Sequence, residues 1–253
     1  MIIAIMQPTF IPWIGYFDMI DKVDSFIFLD HVQLSKRSWQ VRNKIKFNDQ
    51  EKLISIPIKK EKNRDSTYIL DAQIDYSGSW DTKFLDLLKL EYNNSEFYQE
   101  VSEIIIKVLQ QKPKYLSDLN INLITNISLN IGVESKFIRS SELKPSGKKD
   151  KMLVDILKKF NCNKYLSAPG SFSYIERNNP GGEFSRNNID LFYHVYNHPQ
   201  YSQLGANFIS HLSILDLLYN VGLKKSLSTI IKGRNRNIHF KEFKNLKLNL
   251  NER

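Results

Sequence analysis

The sequence predicts an α/β fold: a doubly wound, mainly parallel sheet with an additional helical cluster. Three observations lead there. Short, almost wholly apolar runs of four to seven residues recur along the chain, the signature of strands buried on both faces. Segments with helical spacing of apolar residues alternate with those runs, as crossover helices do between parallel strands. The first two runs both end in polar and cationic residues, and the carboxyl edge of an open α/β sheet is where ligands bind.

Residues 2–6 (IIAIM) read as a buried central strand, and Pro8, which cannot donate to a ladder, stops it. A loop with Pro12, Trp13, Gly15 and Tyr16 leads into an amphipathic stretch, residues 16–22, with Phe17 and Ile20 at helical spacing. Residues 23–29 form a second buried strand that ends in Asp30 and His31. Residues 53–58 (LISIPI) read as a strand, 59–66 as a charged loop and 68–74 as an edge strand. Three helices follow at 79–90, 98–110 and 116–129. Ser79 suits an N-cap, with Trp80, Phe84, Leu87, Leu88 and Leu90 on one face, and Pro113 limits the second helix. The α/β pattern then resumes. Strands are predicted at 136–139, 164–167 and 191–196, and helices at 150–160, 172–178, 209–219 and 224–237. Ser213 is a natural cap for a helix at 214–221. No linker is evident, so residues 1–253 are expected to form a single domain with 79–130 as an inserted or flanking helical cluster.

Hydrophobic residues make up 42% of the chain and charged ones 25%, ordinary for a globular protein, and 253 residues suffice for a substantial core. No apolar run reaches the roughly 18 residues that a membrane span needs. The first residues show neither a basic n-region nor a small-residue cleavage site, so a cytoplasmic protein with no membrane association is expected. The lone cysteine, Cys162, excludes an intrachain disulfide, and the five histidines show no ligand spacing, so no metal is expected. The net charge of +9 suits an anionic partner. Lys36, Arg37, Arg42, Lys44 and Lys46 concentrate part of that charge around Trp39.

The residues expected to carry chemistry lie at predicted strand ends. His31 is the first choice of general base, because an imidazole titrates near working pH, with Asp30 to orient it or take the proton itself. His211 is a second candidate base. Lys36, Arg37, Arg42 and Lys44 offer the N–H groups that phosphate recognition needs, and Trp39 offers a stacking face for a base or sugar. Gln7, Gln33 and Asn43 carry donor and acceptor together. Trp13, Tyr16, His198, Gln200 and Tyr201 complete the expected substrate-binding set. Ser167 and Gly170, after the strand at 164–167, have backbone N–H groups suited to an anion nest. Cys162 has no cation or helix start beside it to activate a thiolate.

The opening strand, loop and helix resemble those of adenylyl-transferring Rossmann-like proteins. Those grip ATP phosphates with a His-x-Gly-His signature, where this chain has Trp13-Ile14-Gly15-Tyr16. Both histidines are missing, so that resemblance implies the Rossmann-like architecture alone. A second resemblance spans nearly the whole chain. MQPTFIPWIGYFDMI, FLDHVQLSKRSWQVRNKI, YLSAPG and HPQYSQLGANFISHLSILDLLYNVG, in that order, are similar to the motifs of the WbqC-like family. That family is named from bacterial O-antigen gene clusters. The resemblance implies modification of surface sugars, through amino-acylation of nucleotide-linked amino sugars.

Together these readings predict a transferase that places an acyl or aminoacyl group, such as glycine, on the amino group of a nucleotide-linked amino sugar during surface-polysaccharide synthesis. No tightly bound cofactor is expected. The acyl donor would be an aminoacyl-tRNA, a carrier-protein thioester or coenzyme A, which makes a carrier protein or a tRNA the expected macromolecular partner. Two other functions fit the same residues: an ATP-dependent amide ligase on a Rossmann-like core, and a non-catalytic nucleic-acid- or glycan-binding protein.

Overall fold

The computed structural model describes residues 1–35, 38–59, 67–177 and 179–242. Strand β1 (Ile3–Met6) is central, with Ile3, Ala4 and Ile5 buried. Helix α1 (Ile14–Asp21) returns the chain to β2 (Ser25–Phe28), which pairs parallel to β1 with Met6 opposite Phe28. A hairpin follows, β3 (Arg42–Phe47) and β4 (Gln50–Ser55), and then three helices, α2 (Trp80–Tyr92), α3 (Tyr98–Gln110) and α4 (Leu116–Asn130). Strand β5 (Lys136–Arg139) pairs parallel to β2 on its far side, and the short α5 (Ser140–Leu143) starts at its carboxyl end. Helix α6 (Asp150–Lys159) crosses to β6 (Lys164–Ser167), which pairs with the other side of β1. Helices α7 (Phe172–Ile175) and α8 (Gly182–Arg186) lead to β7 (Asp190–Tyr193). Helices α9 (Ile214–Val221) and α10 (Leu223–Ile231) and the antiparallel edge strand β8 (Ile238–His239) complete the described chain.

The sheet order is β5-β2-β1-β6-β7-β8, so the winding reverses at β1. Alternation along each strand divides the side chains between two faces. Ala4, Phe26 and Phe28 face α1 and the helices α2, α3, α4 and α9. Ile3, Ile5 and Ile27 face Leu153, Ile156 and Leu157 of α6 and Phe184 of α8. Helices therefore cover both faces, which is the Rossmann-like, doubly wound arrangement expected.

Several local expectations change. Residues 68–74 are not a strand: they make only isolated bridges, Gln33 to Tyr68, Ile58 to Ile74 and Gln73 to Tyr115. The basic run 42–47 is a strand, because Asn43 and Ile45 alternate inward beneath its cations. The strand after it is Gln50–Ser55, not 53–58, and stops before Pro57. Of the two starts read for the apolar helix, 209 and 214, the structure has Ile214: His211 takes a left-handed φ of 59°, and Ser213 caps the helix as expected, accepting from Leu215 N. Ser79 stands at the N-cap of α2 in a left-handed conformation, with no side-chain cap, and Leu90 points to solvent.

Candidate functional site

The loop after β1 is fixed by side chains drawn from four other segments. Tyr16 Oη donates to Gln7 O (3.0 Å), and Asn120 Nδ2, from α4, donates to Pro8 O (3.0 Å) and Gln40 O (2.8 Å). Phe10 N donates to Trp39 O (2.9 Å), and Asn43 Nδ2 donates to Phe10 O (2.9 Å) and Ile11 O (2.8 Å). Gln40 Nε2 donates to Gln7 Oε1. Ile11 is held at φ 34°, which a β-branched side chain adopts only under constraint. The absence of a side chain at Gly15 makes room for the Trp13 indole, into which a Cβ there would collide. The glycine therefore serves packing within the loop.

At the carboxyl ends of β2 and β5, Asp30 and His31 meet Ser140. Asp30, fully buried, accepts from Ser140 Oγ (3.0 Å), Ser141 N (2.9 Å) and Ser141 Oγ (2.7 Å). Ser140 has one proton and the ionised carboxylate is its strongest acceptor. Its oxygen is then left to accept from His31 Nδ1 at 2.6 Å. Ser140 thus selects the tautomer with the hydrogen on Nδ1 and the lone pair on Nε2. Nε2 lies 3.1 Å from Met152 Sδ, which has no proton to give, so in this tautomer the contact is van der Waals packing and not a hydrogen bond. Burial lowers the imidazole's pKa below the usual histidine value, and the Asp30 charge only partly restores it. Asp30 thus orients the imidazole through a serine hydroxyl and not by direct contact.

A second imidazole cluster sits where α1 and α9 begin. Trp13 bridges to Ser213 and stacks with His211 (centroids 5.2 Å apart) and His198 (6.3 Å). The two imidazoles are 4.8 Å apart. His198 Nδ1 donates to Pro199 O (3.0 Å), and burial together with the His211 charge pushes its pKa down to about 4. His211 is exposed and bonds Ser210 Oγ (2.9 Å). Tyr201 Oη is spent on the buried Asp216 carboxylate (2.8 Å), which also accepts from Tyr92 Oη (3.0 Å) and Gln203 Nε2 (2.7 Å). Burial outweighs these donors and raises Asp216 to about 6. Lys46, 1% exposed, anchors the same loop, its Nζ donating to Leu204 O (2.6 Å) and Asn207 O (2.5 Å) beside Asp49 (3.0 Å).

The remaining expected residues are distributed around these groups. Trp39 is 50% exposed, and the Arg42 guanidinium lies 5.8 Å from its ring centre. Lys44 pairs with Glu51 at 2.5 Å, and Gln33 bridges to Tyr68. Ser167 Oγ bonds Ser171 Oγ (2.6 Å), Gly170 is exposed in a single 3-10 turn and Gln200 is exposed. Lys36 and Arg37 lie outside the described residues. Buried Cys162 donates its thiol to Lys164 O (3.2 Å). Among the described residues no group of His, Cys, Asp and Glu is placed to hold a metal ion, and no helix is long and apolar enough to cross a membrane. A cavity of about 460 Å³ opens at the opposite, amino edge of the sheet beside Asp21, Asp24 and Lys136, away from all of these groups.

Sequence reading missed three groups. Ser140 is 109 residues from His31, and nothing local marks it. Asn120 occupies the apolar face of α4 in line with Leu116, Leu123 and Ile127, a polar interruption that did mark it. Asp18 interrupts α1 in the same way: fully buried, it accepts from His194 Nε2 and Arg234 Nε, both at 2.7 Å. Burial would raise the Asp18 pKa, but the bonds from His194 and Arg234 outweigh it and hold the carboxyl below its usual value.

The strand order and the polar groups gathered at the carboxyl ends of β1, β2 and β5 define a Rossmann-like α/β protein with a candidate site at its switch point. The particular family follows from sequence: the profile of the WbqC-like protein family matches residues 7–227, and this chain belongs to that family. It is 30% identical over 222 residues to the uncharacterized protein Rv1507c of Mycobacterium tuberculosis, a match covering 87% of this chain and 94% of that protein. No solved structure matches the chain.

Proposed function

We propose that this protein transfers an acyl or aminoacyl group to the amine of a nucleotide-linked amino sugar, with His31 as general base. The observation that carries the reading is the Asp30–Ser140–His31 relay, which leaves an unprotonated Nε2 at the ligand-bearing edge of the sheet. The amine lone pair attacks the acyl carbonyl carbon, and Nε2 takes one N–H proton as the C–N bond forms. Collapse of the tetrahedral adduct breaks the bond to the donor's thiol or 3′-oxygen, which leaves with a proton returned from the imidazolium. Met152 lies against Nε2, and its flexible thioether side chain can give way to the amine. The donor is an aminoacyl-tRNA, a carrier-protein thioester or coenzyme A, and surface-polysaccharide synthesis in the cytoplasm is the setting this chemistry fits.

The test is turnover of a nucleotide-linked amino sugar with each donor class, in wild type and in His31→Ala and His31→Gln. Loss of roughly 10²–10⁴-fold in rate with an unchanged circular-dichroism spectrum is expected. Near-normal rates in both variants would remove His31 from the mechanism.

A further inference from the structure

Among the described residues, nine buried side-chain polar atoms have no hydrogen-bond partner, and five of them belong to one place in the fold. They are Thr9 Oγ1, Ser38 Oγ, Gln40 Oε1, Arg42 Nε and Asn120 Oδ1. Bonds already described bring four of these residues together: Phe10 N to Trp39 O sets Thr9 against the 38–40 strip, and Asn120 spans Pro8 and Gln40. Arg42 continues the same strip, its guanidinium 5.8 Å from the Trp39 ring centre. Gln40 and Asn120 are themselves buried, at 6% and 0% exposure. Native proteins satisfy nearly all buried polar groups, so a concentration of unmet ones calls for a missing partner.

The chemistry of the five atoms restricts that partner. Gln40 and Asn120 present amide oxygens, which need a donor. Arg42 presents a charged N–H, which needs an acceptor, best an anion. Thr9 and Ser38 present hydroxyls that serve either way. Inorganic phosphate as the dianion HPO4²⁻ has one proton for two amide oxygens, and a neutral polyol leaves the guanidinium without an anion. A phosphate ester that also carries free hydroxyls meets both demands. Beside the strip, Trp39 is half exposed with Arg42 against its ring, a face on which a flat heterocycle can stack.

We propose that Thr9, Ser38, Gln40, Arg42 and Asn120, with Trp39, form a nucleoside-phosphate subsite: phosphate on Arg42 and the hydroxyls, ribose hydroxyls on the amide oxygens, base on Trp39. This rests on the nucleotide-sugar reading above and names the part of the substrate that this edge of the molecule holds. All five atoms are closed to solvent, so entry requires the Phe10 N–Trp39 O and Asn120–Gln40 O bonds to open.

The experiment is calorimetric titration of the full chain with UDP, CDP, GDP, ADP, inorganic phosphate and a single-stranded RNA tetranucleotide. Wild type is compared with Thr9→Val, Ser38→Ala and Trp39→Ala. Because the two hydroxyls bond nothing in the protein, Thr9→Val and Ser38→Ala should keep or raise Tm while weakening the preferred nucleotide about tenfold each, the loss of one hydrogen bond. Trp39→Ala should weaken the nucleotide and leave inorganic phosphate unchanged. A lowered Tm with unchanged nucleotide affinity would assign the hydroxyls to structure and overturn the subsite. So would a wild type that binds none of the four diphosphates, or that binds the RNA but none of them. The two readings fail separately. Nucleotide binding that follows this pattern without acyl transfer sinks the transferase and keeps the subsite, while transfer at wild-type KM in Thr9→Val sinks the subsite and keeps the transferase.

Discussion

The role proposed for His31 as a base rests on what a serine hydroxyl must do. Ser140 Oγ gives its proton to Asp30 and so accepts from His31 Nδ1, which leaves the lone pair on Nε2, against Met152 Sδ. Ser140→Ala should therefore lower kcat about tenfold with KM unchanged, since one orienting hydrogen bond is lost while substrate contacts remain. In the proposed mechanism the free base is the working form, and burial lowers its pKa, so the acid limb of the kcat/KM profile should fall below the usual histidine range. An acid limb above 6.5 would contradict this. Asp216 gives the opposite case, a carboxyl whose folded value of about 6 stands above its ordinary 3.8. The native state holds that proton more tightly than the unfolded chain. The contribution is thus complete below about pH 4 and drains away as pH climbs through about 6, by roughly 3 kcal/mol for a shift of about two units. The stability of wild type relative to Asp216→Asn, measured by urea denaturation, should fall across that window and stay flat above it. At this scale the sequence was partly legible. Asp30 and His31 stood out because a polar pair ends an apolar strand. Ser140 did not, since a distant serine carries no local mark.

The elements carry these residues only where something pins the connecting loops. The 197–211 loop holds His198 and His211 against Trp13, and its anchor is the buried ammonium of Lys46 on β3. Lys46→Met keeps the apolar stem and removes the donor, which strands the carbonyls of Leu204 and Asn207. A loss of about 3 kcal/mol is expected, with new proteolytic cleavage within 204–207. An unchanged Tm and digestion pattern would show that the anchor does nothing. Helices α3 and α4 could be read from spacing almost to the residue, because their buried faces repeat at the helical period. Strand β3 could not. Its inward residues Asn43 and Ile45 alternate with Arg42, Lys44 and Lys46, so the segment reads as a basic turn until its pairing with β4 is known. The start of α9 reads two ways, at 209 or after Ser213, for a related reason. Ile209 and Leu212 extend the apolar pattern, but the left-handed turn at His211 and the Ser213 cap decide where the helix begins.

Across the whole molecule, winding order could be inferred from the alternation of strands and helices, whereas the role of residues 80–130 could not. Nothing in those helices announces what they cover. In the structure Leu116, Leu119, Leu123 and Ile127 of α4 share one core with Phe17 and Ile20 of α1 and Phe26 and Phe28 of β2. Asn120 extends from the same helix to Pro8 and Gln40, so the cluster also braces the loop after β1. Core and site thus both draw on these helices, and removing them would strip much of the cover from one face of the sheet, leaving α1 and α9 there. A variant in which a short Gly/Ser linker replaces residues 79–130 should fail to give a cooperative thermal transition. The intact chain should unfold in one step, with its near-ultraviolet aromatic signal and its helical signal lost together. If the shortened variant melted cooperatively near the wild-type temperature, the helices would be an appendage. The bracing of the Gln7 loop by Asn120 would then have to be abandoned with it.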